Sequence, residues 1–241
     1  MRKLIDSTAP APALFCSVGH SVKHESAARH VAGTAIYIDD MPLTARHLHV
    51  AIGITSIAAG RIKLLDVSAV RTMPGVVDVI VQADIPGKID IAPVFDGDPL
   101  LAGSTVQFHG QALFAVAATS FAAAQRAVAL VKVEYEPLPG QQSVALAAEA
   151  QDFVVPPHII SRGDVAAAFT SAPHTISGHI EIHGQEHFYL EGQISEAMPA
   201  EEGGVVVLSS SQHPAELQKL IAEVLDVPMH KVVVEVRRMG G

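Results

Sequence analysis

Residues 176–183 alternate apolar and polar positions. Ile176, Gly178, Ile180 and Ile182 fall on one face, and Ser177, His179, Glu181 and His183 on the other. A repeat of two predicts a half-buried β-strand. Gly184 breaks the alternation, which permits a bulge or a close approach by another backbone or a ligand. The same reading predicts further strands over 35–38, 48–54, 60–65, 76–81, 106–108, 112–118 and 132–135. Helices are predicted over 25–30, 68–73 and 120–130, with Ser68 as an N-cap and Pro74-Gly75 as a stop.

Beyond residue 140 the periodicity fades. Residues 141–172 read as a linker with two weak helices, over 143–149 and 165–169, separated by the extended Pro156-Pro157 pair. A second part, 173–241, adds strands over 192–198, 205–209 and 232–236. Between the last two, Leu217, Leu220, Ile221, Val224 and Leu225 recur at helical spacing behind Pro214, which suits a first turn. Residues 1–19 are rich in Pro, Ala and Ser without periodicity and read as a mobile lead-in. Strands alternating with helices make the fold class α/β (α+β), a layered sandwich over 20–140.

Composition sharpens this picture at three points. The net charge of −9 opposes nucleic-acid binding, which needs a basic face. A single cysteine, Cys16, excludes an internal disulfide and any multi-cysteine metal or iron–sulfur site. It fits a reducing compartment. No apolar run approaches the ~18 residues of a membrane helix, and Asp6, Pro10 and Pro12 interrupt any signal-peptide core. The expected location is cytoplasmic.

Chemistry-bearing residues are numerous but mostly dispersed. There are thirteen histidines, and His179, His183 and His187 are spaced by four. On a strand four residues span ~13 Å, too far for one ion, so no protein-ligated metal is expected. Ser209-Ser210-Ser211 with His213 suggests a hydrolase, but the Gly-x-Ser-x-Gly elbow is missing and a serine run before a helix reads as a cap. No phosphate-binding glycine motif occurs. Gln185 stands apart. Just past the Gly184 break, a neutral amide with donors and an acceptor suits an oxo or hydroxyl group without adding charge.

The run Gly184-Gln185-Glu186-His187-Phe188-Tyr189-Leu190-Glu191 resembles a segment of the molybdenum-binding subunit of the xanthine dehydrogenase and aldehyde oxidase family. Arg237-Arg238-Met239-Gly240-Gly241 resembles the start of that family's next cofactor loop. Phe108-His109-Gly110-Gln111 and the stretch from Gly33 to Asp40 resemble its N-terminal domain.

The resemblance implies an α/β hammerhead domain, followed by the incomplete first part of a molybdopterin-binding domain over 173–241. It implies that Gln185 hydrogen-bonds an oxygen ligand of the molybdenum, and that Gly240 and Gly241 belong to the cofactor loop. Phe188 and Tyr189 are expected as core aromatics beneath the site. No catalytic residue is expected within the chain, and Glu186 and Glu191 carry no catalytic role. The intact enzyme would be a xanthine dehydrogenase carrying molybdenum-molybdopterin. Iron–sulfur clusters and FAD would sit on a partner subunit or domain. The substrate would be a purine. An aldehyde oxidase of the same family and a non-catalytic subunit-interaction module are the alternatives. The chain alone is expected to bind no cofactor, to be inactive and to be prone to homo-oligomerise.

Overall fold

The structure is a computed structural model and describes residues 18–43, 46–141 and 143–238. The predicted lead-in therefore lies almost wholly outside the described residues, as do Gly240 and Gly241.

The N-terminal part is built around one strand. Strands β1 (His49–Ile54), β2 (Gly60–Asp66), β3 (Val76–Val81), β4 (Thr105–Val106), β5 (Ala112–Ala118) and β6 (Lys132–Pro137) form two three-stranded sheets, ordered β1-β5-β3 and β4-β2-β6. All their pairings are antiparallel. The apolar run of β5 predicts a central strand, and Leu113, Phe114, Val116 and Ala118 are each wholly buried. Gly53 is paired with Phe114 across the sheet. A Cβ at position 53 would stand 2.1 Å from the Phe114 ring. Only a glycine leaves room for that ring, and forcing a methyl into such packing costs about 1–3 kcal/mol.

Helix α1 is Ala27–Val31, α2 is Ser68–Arg71 and α3 is Phe121–Val128. The Ser120 hydroxyl caps α3 by accepting from Ala123 N at 3.2 Å. The helix lays Ala123 and Ala124 on Ala51 of β1 and Ala118 of β5. At α2 the predicted cap is displaced by one position. Val67 occupies the N-cap and Ser68 is the first helical residue. The Asp66 carboxylate does the capping work, accepting from the Ser68 hydroxyl at 2.6 Å and from its N–H at 2.9 Å. Those bonds, the hydroxyl's first, hold the Asp66 carboxyl below its ordinary range.

The connecting segment contains α4 (Val144–Glu149) and α5 (Val165–Ser171), capped by Ser143 and Asp164. Neither helix has a buried residue. The second part has strands β7 (Ser195–Pro199), β8 (Val205–Ser209) and β9 (Val232–Glu235) in the order β7-β8-β9. Strand β8 runs antiparallel to β7 and parallel to β9. A parallel pair needs a crossover, and α6 (Pro214–Leu225) provides it. The helix opens with the His213 ring, whose Nδ1 accepts from Glu216 N at 3.1 Å, and closes at Asp226 in the left-handed conformation. The serine run before it is engaged locally. Ser209 Oγ lies 3.0 Å from Ser195 Oγ, and Ser211 Oγ accepts from His213 N at 3.1 Å.

Two predicted strands do not form. Residues 176–183 are irregular, with Ile176, Ile180 and Ile182 between 82% and 97% exposed. Alternation supplies a strand with a face, but a strand exists only through a pairing partner. No strand among the described residues lies beside this segment. At 35–38 a 3-10 turn, Ile38–Asp40, takes over, because the Asp40 carboxylate accepts from Tyr37 N at 2.9 Å and offers the backbone a local alternative to a ladder.

The long loop after β3 reaches the second part. Gly87 N donates to Val224 O at 3.0 Å and Lys88 N to Glu223 O at 2.8 Å. Both acceptors are last-turn carbonyls of α6, and Glu223 O accepts in addition from the C-cap Asp226 N at 3.4 Å. A Cβ on residue 87 would lie 2.1 Å from Glu223 O, so this approach requires glycine. The loop is shaped by Asp90, whose carboxylate accepts from the backbone of Ala92, Gly97 and Asp98. The bond from Ala92, then that from Gly97, holds its carboxyl below the usual range.

Candidate functional site

The segment 184–191 leaves the second part as exposed, irregular chain. Gln185 is exposed, and its side-chain amide has no hydrogen-bond partner among the described residues. Gly184 has open space where a Cβ would stand. Glu186 reaches only its neighbour Phe188 N, at 3.5 Å. The expectation of core aromatics is corrected here. Phe188 is 95% exposed and left-handed, with φ of 53°. Tyr189 is half-buried. A side chain is covered only if something packs on it, and among the described residues nothing lies over Phe188.

Order returns at Glu191. Its Oε1 accepts from Ile38 N at 3.2 Å, across 153 positions of sequence. Five residues on, Glu196 of β7 meets His47 Nε2 at 2.7 Å, with side-chain exposures of 15% and 18%. The other candidate segment arrives at the same place. Arg238 Nη1 donates to Ile36 O, and its guanidinium carbon lies 5.9 Å from the Tyr37 ring centre, within reach of a cation–π attraction. Tyr37 OH in turn lies 3.2 Å from His30 Nδ1. Thus Glu191 and Arg238, one from each stretch singled out in the sequence, are tied to the three residues Ile36, Tyr37 and Ile38.

The structure therefore separates the predicted site residues by role. Gln185 is free, Gly240 and Gly241 lie outside the described residues, and the residues that do the anchoring are Glu191 and Arg238. Sequence reading set Glu191 aside and gave Arg238 no task of its own. No local pattern carries a pairing over such distances. The nearest signal was the quoted stretch from Gly33 to Asp40, which contains the anchoring backbone. Among the described residues, no group of three or more His, Cys, Asp or Glu side chains could hold a metal ion. No helix among them is long and apolar enough to cross a membrane.

Comparison with known proteins addresses both halves. Residues 32–139 match the family described as aldehyde oxidase and xanthine dehydrogenase, a/b hammerhead domain. Residues 149–241 match the molybdopterin cofactor-binding domain. The chain belongs to the xanthine dehydrogenase and aldehyde oxidase family. It is 35% identical over 230 residues to a xanthine dehydrogenase of Drosophila subobscura and 36% identical over 226 residues to aldehyde oxidase 4 of Mus musculus. Each alignment covers 93% of this chain and 17% of the relative, so the chain spans about a sixth of those proteins. Among solved structures it resembles the aldehyde oxidoreductase of Desulfovibrio gigas, with a TM-score of 0.68 at 28% identity over 88% of this chain and 26% of that one. Quinoline 2-oxidoreductase of Pseudomonas putida 86 gives a TM-score of 0.68 at 25% identity, over 92% and 30%. The fold expected from the resemblance, a hammerhead followed by the start of a molybdopterin-binding domain, is the fold of this chain.

The anchoring of Glu191 has a measurable consequence. Glu191→Ala leaves the Ile38 amide without its charged acceptor, and is expected to lower stability by about 1 kcal/mol and to speed exchange of that amide several-fold. Glu191→Gln keeps an acceptor oxygen and is expected to restore most of the protection. Equal exchange at Ile38 in all three proteins, measured by hydrogen–deuterium exchange, would remove the anchor from the account.

Proposed function

We propose that this chain is the N-terminal part of the molybdenum-binding subunit of a xanthine dehydrogenase, which oxidatively hydroxylates hypoxanthine and xanthine to urate. The observation that carries the reading is the pairing of two matched domains in one chain, with the unpartnered Gln185 amide in the second. In this reading the enzyme works in the cytoplasm. Electrons leave through iron–sulfur clusters and FAD on a partner subunit or domain.

The residues present fit a molybdenum-molybdopterin cofactor in chemistry. An exposed amide with no partner among the described residues is free to serve an oxygen of a ligand, and the open space beside Gly184 lets a large group approach. Gln185 would donate its side-chain N–H to an oxygen of the cofactor without adding charge, and Gly240 and Gly241 would contribute backbone to its loop. The cofactor, when bound, supplies the two-electron redox chemistry. Glu191 and Arg238 hold both segments to the hammerhead and so position them.

An aldehyde oxidase is the second reading, favoured by the aldehyde oxidase 4 of Mus musculus at 36% identity and by the Desulfovibrio gigas structure. Turnover of the parent enzyme with xanthine and with an aldehyde separates the two. The expected result is a kcat/KM for xanthine at least about tenfold higher, with no turnover and no bound molybdenum in the 241-residue chain alone. A preference for the aldehyde would move the assignment to the second reading. A cofactor-loaded parent that turned over neither would favour the interaction module.

In the same parent enzyme, Gln185→Ala is expected to slow turnover on the order of 10²-fold, the usual cost of one hydrogen bond to a developing charge. Molybdenum content should stay unchanged. Turnover at the parental rate with full loading would take Gln185 out of the site.

The division proposed for the chain is a hammerhead over 20–140, a linker over 141–172 and the cofactor-domain part over 173–241. It is supported by the exposure of α4 and α5. Limited proteolysis is expected to cut within 141–172 first. Early cleavage inside β5 or β6 would redraw the boundary.

A further inference from the structure

Residues from the two ends of the described chain line one cavity. Glu25, Ser26 and Arg29 face Arg237 and Arg238 around a volume of about 320 Å³, at the low end of small-molecule sites. Three guanidinium groups and one carboxylate leave the lining at about +2, in a chain whose net charge is −9. Like charges converge at a cost unless something neutralises them. Among the described residues, Arg29 and Arg237 have neither an ion-pair nor a hydrogen-bond partner, and Glu25 makes no ion pair with the arginines beside it.

Arg238 adds a second observation. Its Nη1 donates to Ile36 O and its guanidinium carbon lies over the Tyr37 ring, so the group is held in place. Its Nε is buried without a partner. That donor is out of reach of the cavity, and what Arg238 brings to it is a fixed positive charge beside the two exposed guanidinium groups, which suits an oxyanion. Tyr37 is itself fixed, through its hydroxyl to His30 and its N–H to Asp40. The wall of the cavity is thus built before any ligand arrives.

We propose that this cavity binds a phosphate dianion, either free or as the head of a small monoester. A phosphate monoester at neutral pH carries about −1.5 to −2 charges and three strong acceptor oxygens, and the free ion somewhat less charge, which suits a lining of about +2 with two exposed guanidinium groups and one fixed one. Glu25 sets the limit on affinity, since its carboxylate repels the same oxygens that the arginines attract. Arg29 and Arg237 are exposed, so the mouth of the cavity leaves room for the alcohol end of an ester. This site is separate in its residues from Gln185, and the proposal stands whether or not the parent is a xanthine dehydrogenase.

Calorimetric titration of the chain with inorganic phosphate, at low ionic strength, tests it. Saturable binding at one site is expected. The double variant Arg29→Gln/Arg237→Gln should weaken it by about tenfold for each guanidinium lost. Glu25→Gln should tighten it, an effect that a merely structural role for these residues does not produce. Circular dichroism of each variant confirms that the fold is kept; Arg238 is left intact because it anchors the backbone. Glycerol phosphate distinguishes the sources: binding as tight as phosphate makes a monoester the ligand, and much weaker binding makes it the free ion. No saturable heat with the wild-type chain, or binding unchanged in the folded double variant, would overturn the proposal.

Discussion

The Phe114 ring occupies the volume that a side chain at residue 53 would need, and the layering of the N-terminal part follows from that contact. It pulls β1 onto β5 at a point where the strand has no side chain to resist. With β1 and β3 on its two sides, β5 buries Leu113, Val116 and Ala118 as well. The small residues of β1 and β5 then admit α3. The loop that leaves β3 is folded by Asp90 and delivered to the end of α6.

The two parts are joined by bonds to backbone groups as well as by the Glu196–His47 side-chain pair. Gly87 and Lys88 donate to α6 carbonyls, Glu191 accepts from Ile38 N, and Arg238 donates to Ile36 O. Each is a directional bond to a main-chain atom. Such contacts define relative position closely while contributing little burial, whereas the exposed isoleucines of 176–183 contribute apolar surface and no position.

What was legible in the sequence divides along the same line. Elements whose partners lie nearby or whose signal is strong were readable: β5 from its apolar run, the helix over 120–130 that forms as α3, and α6 from Pro214 and its helical spacing. Residues 176–183 misled because alternation reports a face and says nothing of a partner. Residues 35–38 misled because Asp40 competes for the Tyr37 amide from within the turn. In the candidate site, resemblance drew attention to Gln185 and to the arginine–glycine loop, while the comparisons bear on the family alone. It could not give the anchors, since the pairing of Ile38 with Glu191 and of Ile36 with Arg238 is a property of the folded chain alone. Nor could it show that Arg29 and Arg237 share one cavity.

Ile36, Tyr37 and Ile38 also have a place in time. A chain is made from its N-terminus, and domains tend to fold in that order as they emerge. The turn that receives Glu191 and Arg238 precedes them by 153 and 202 residues. On a ribosome adding about 5–20 residues each second, it is exposed for on the order of ten seconds or more before either segment exists. The turn is thus already made when the segments bearing Glu191 and Arg238 emerge. An error that delayed its folding would leave those segments to emerge with nothing to receive them.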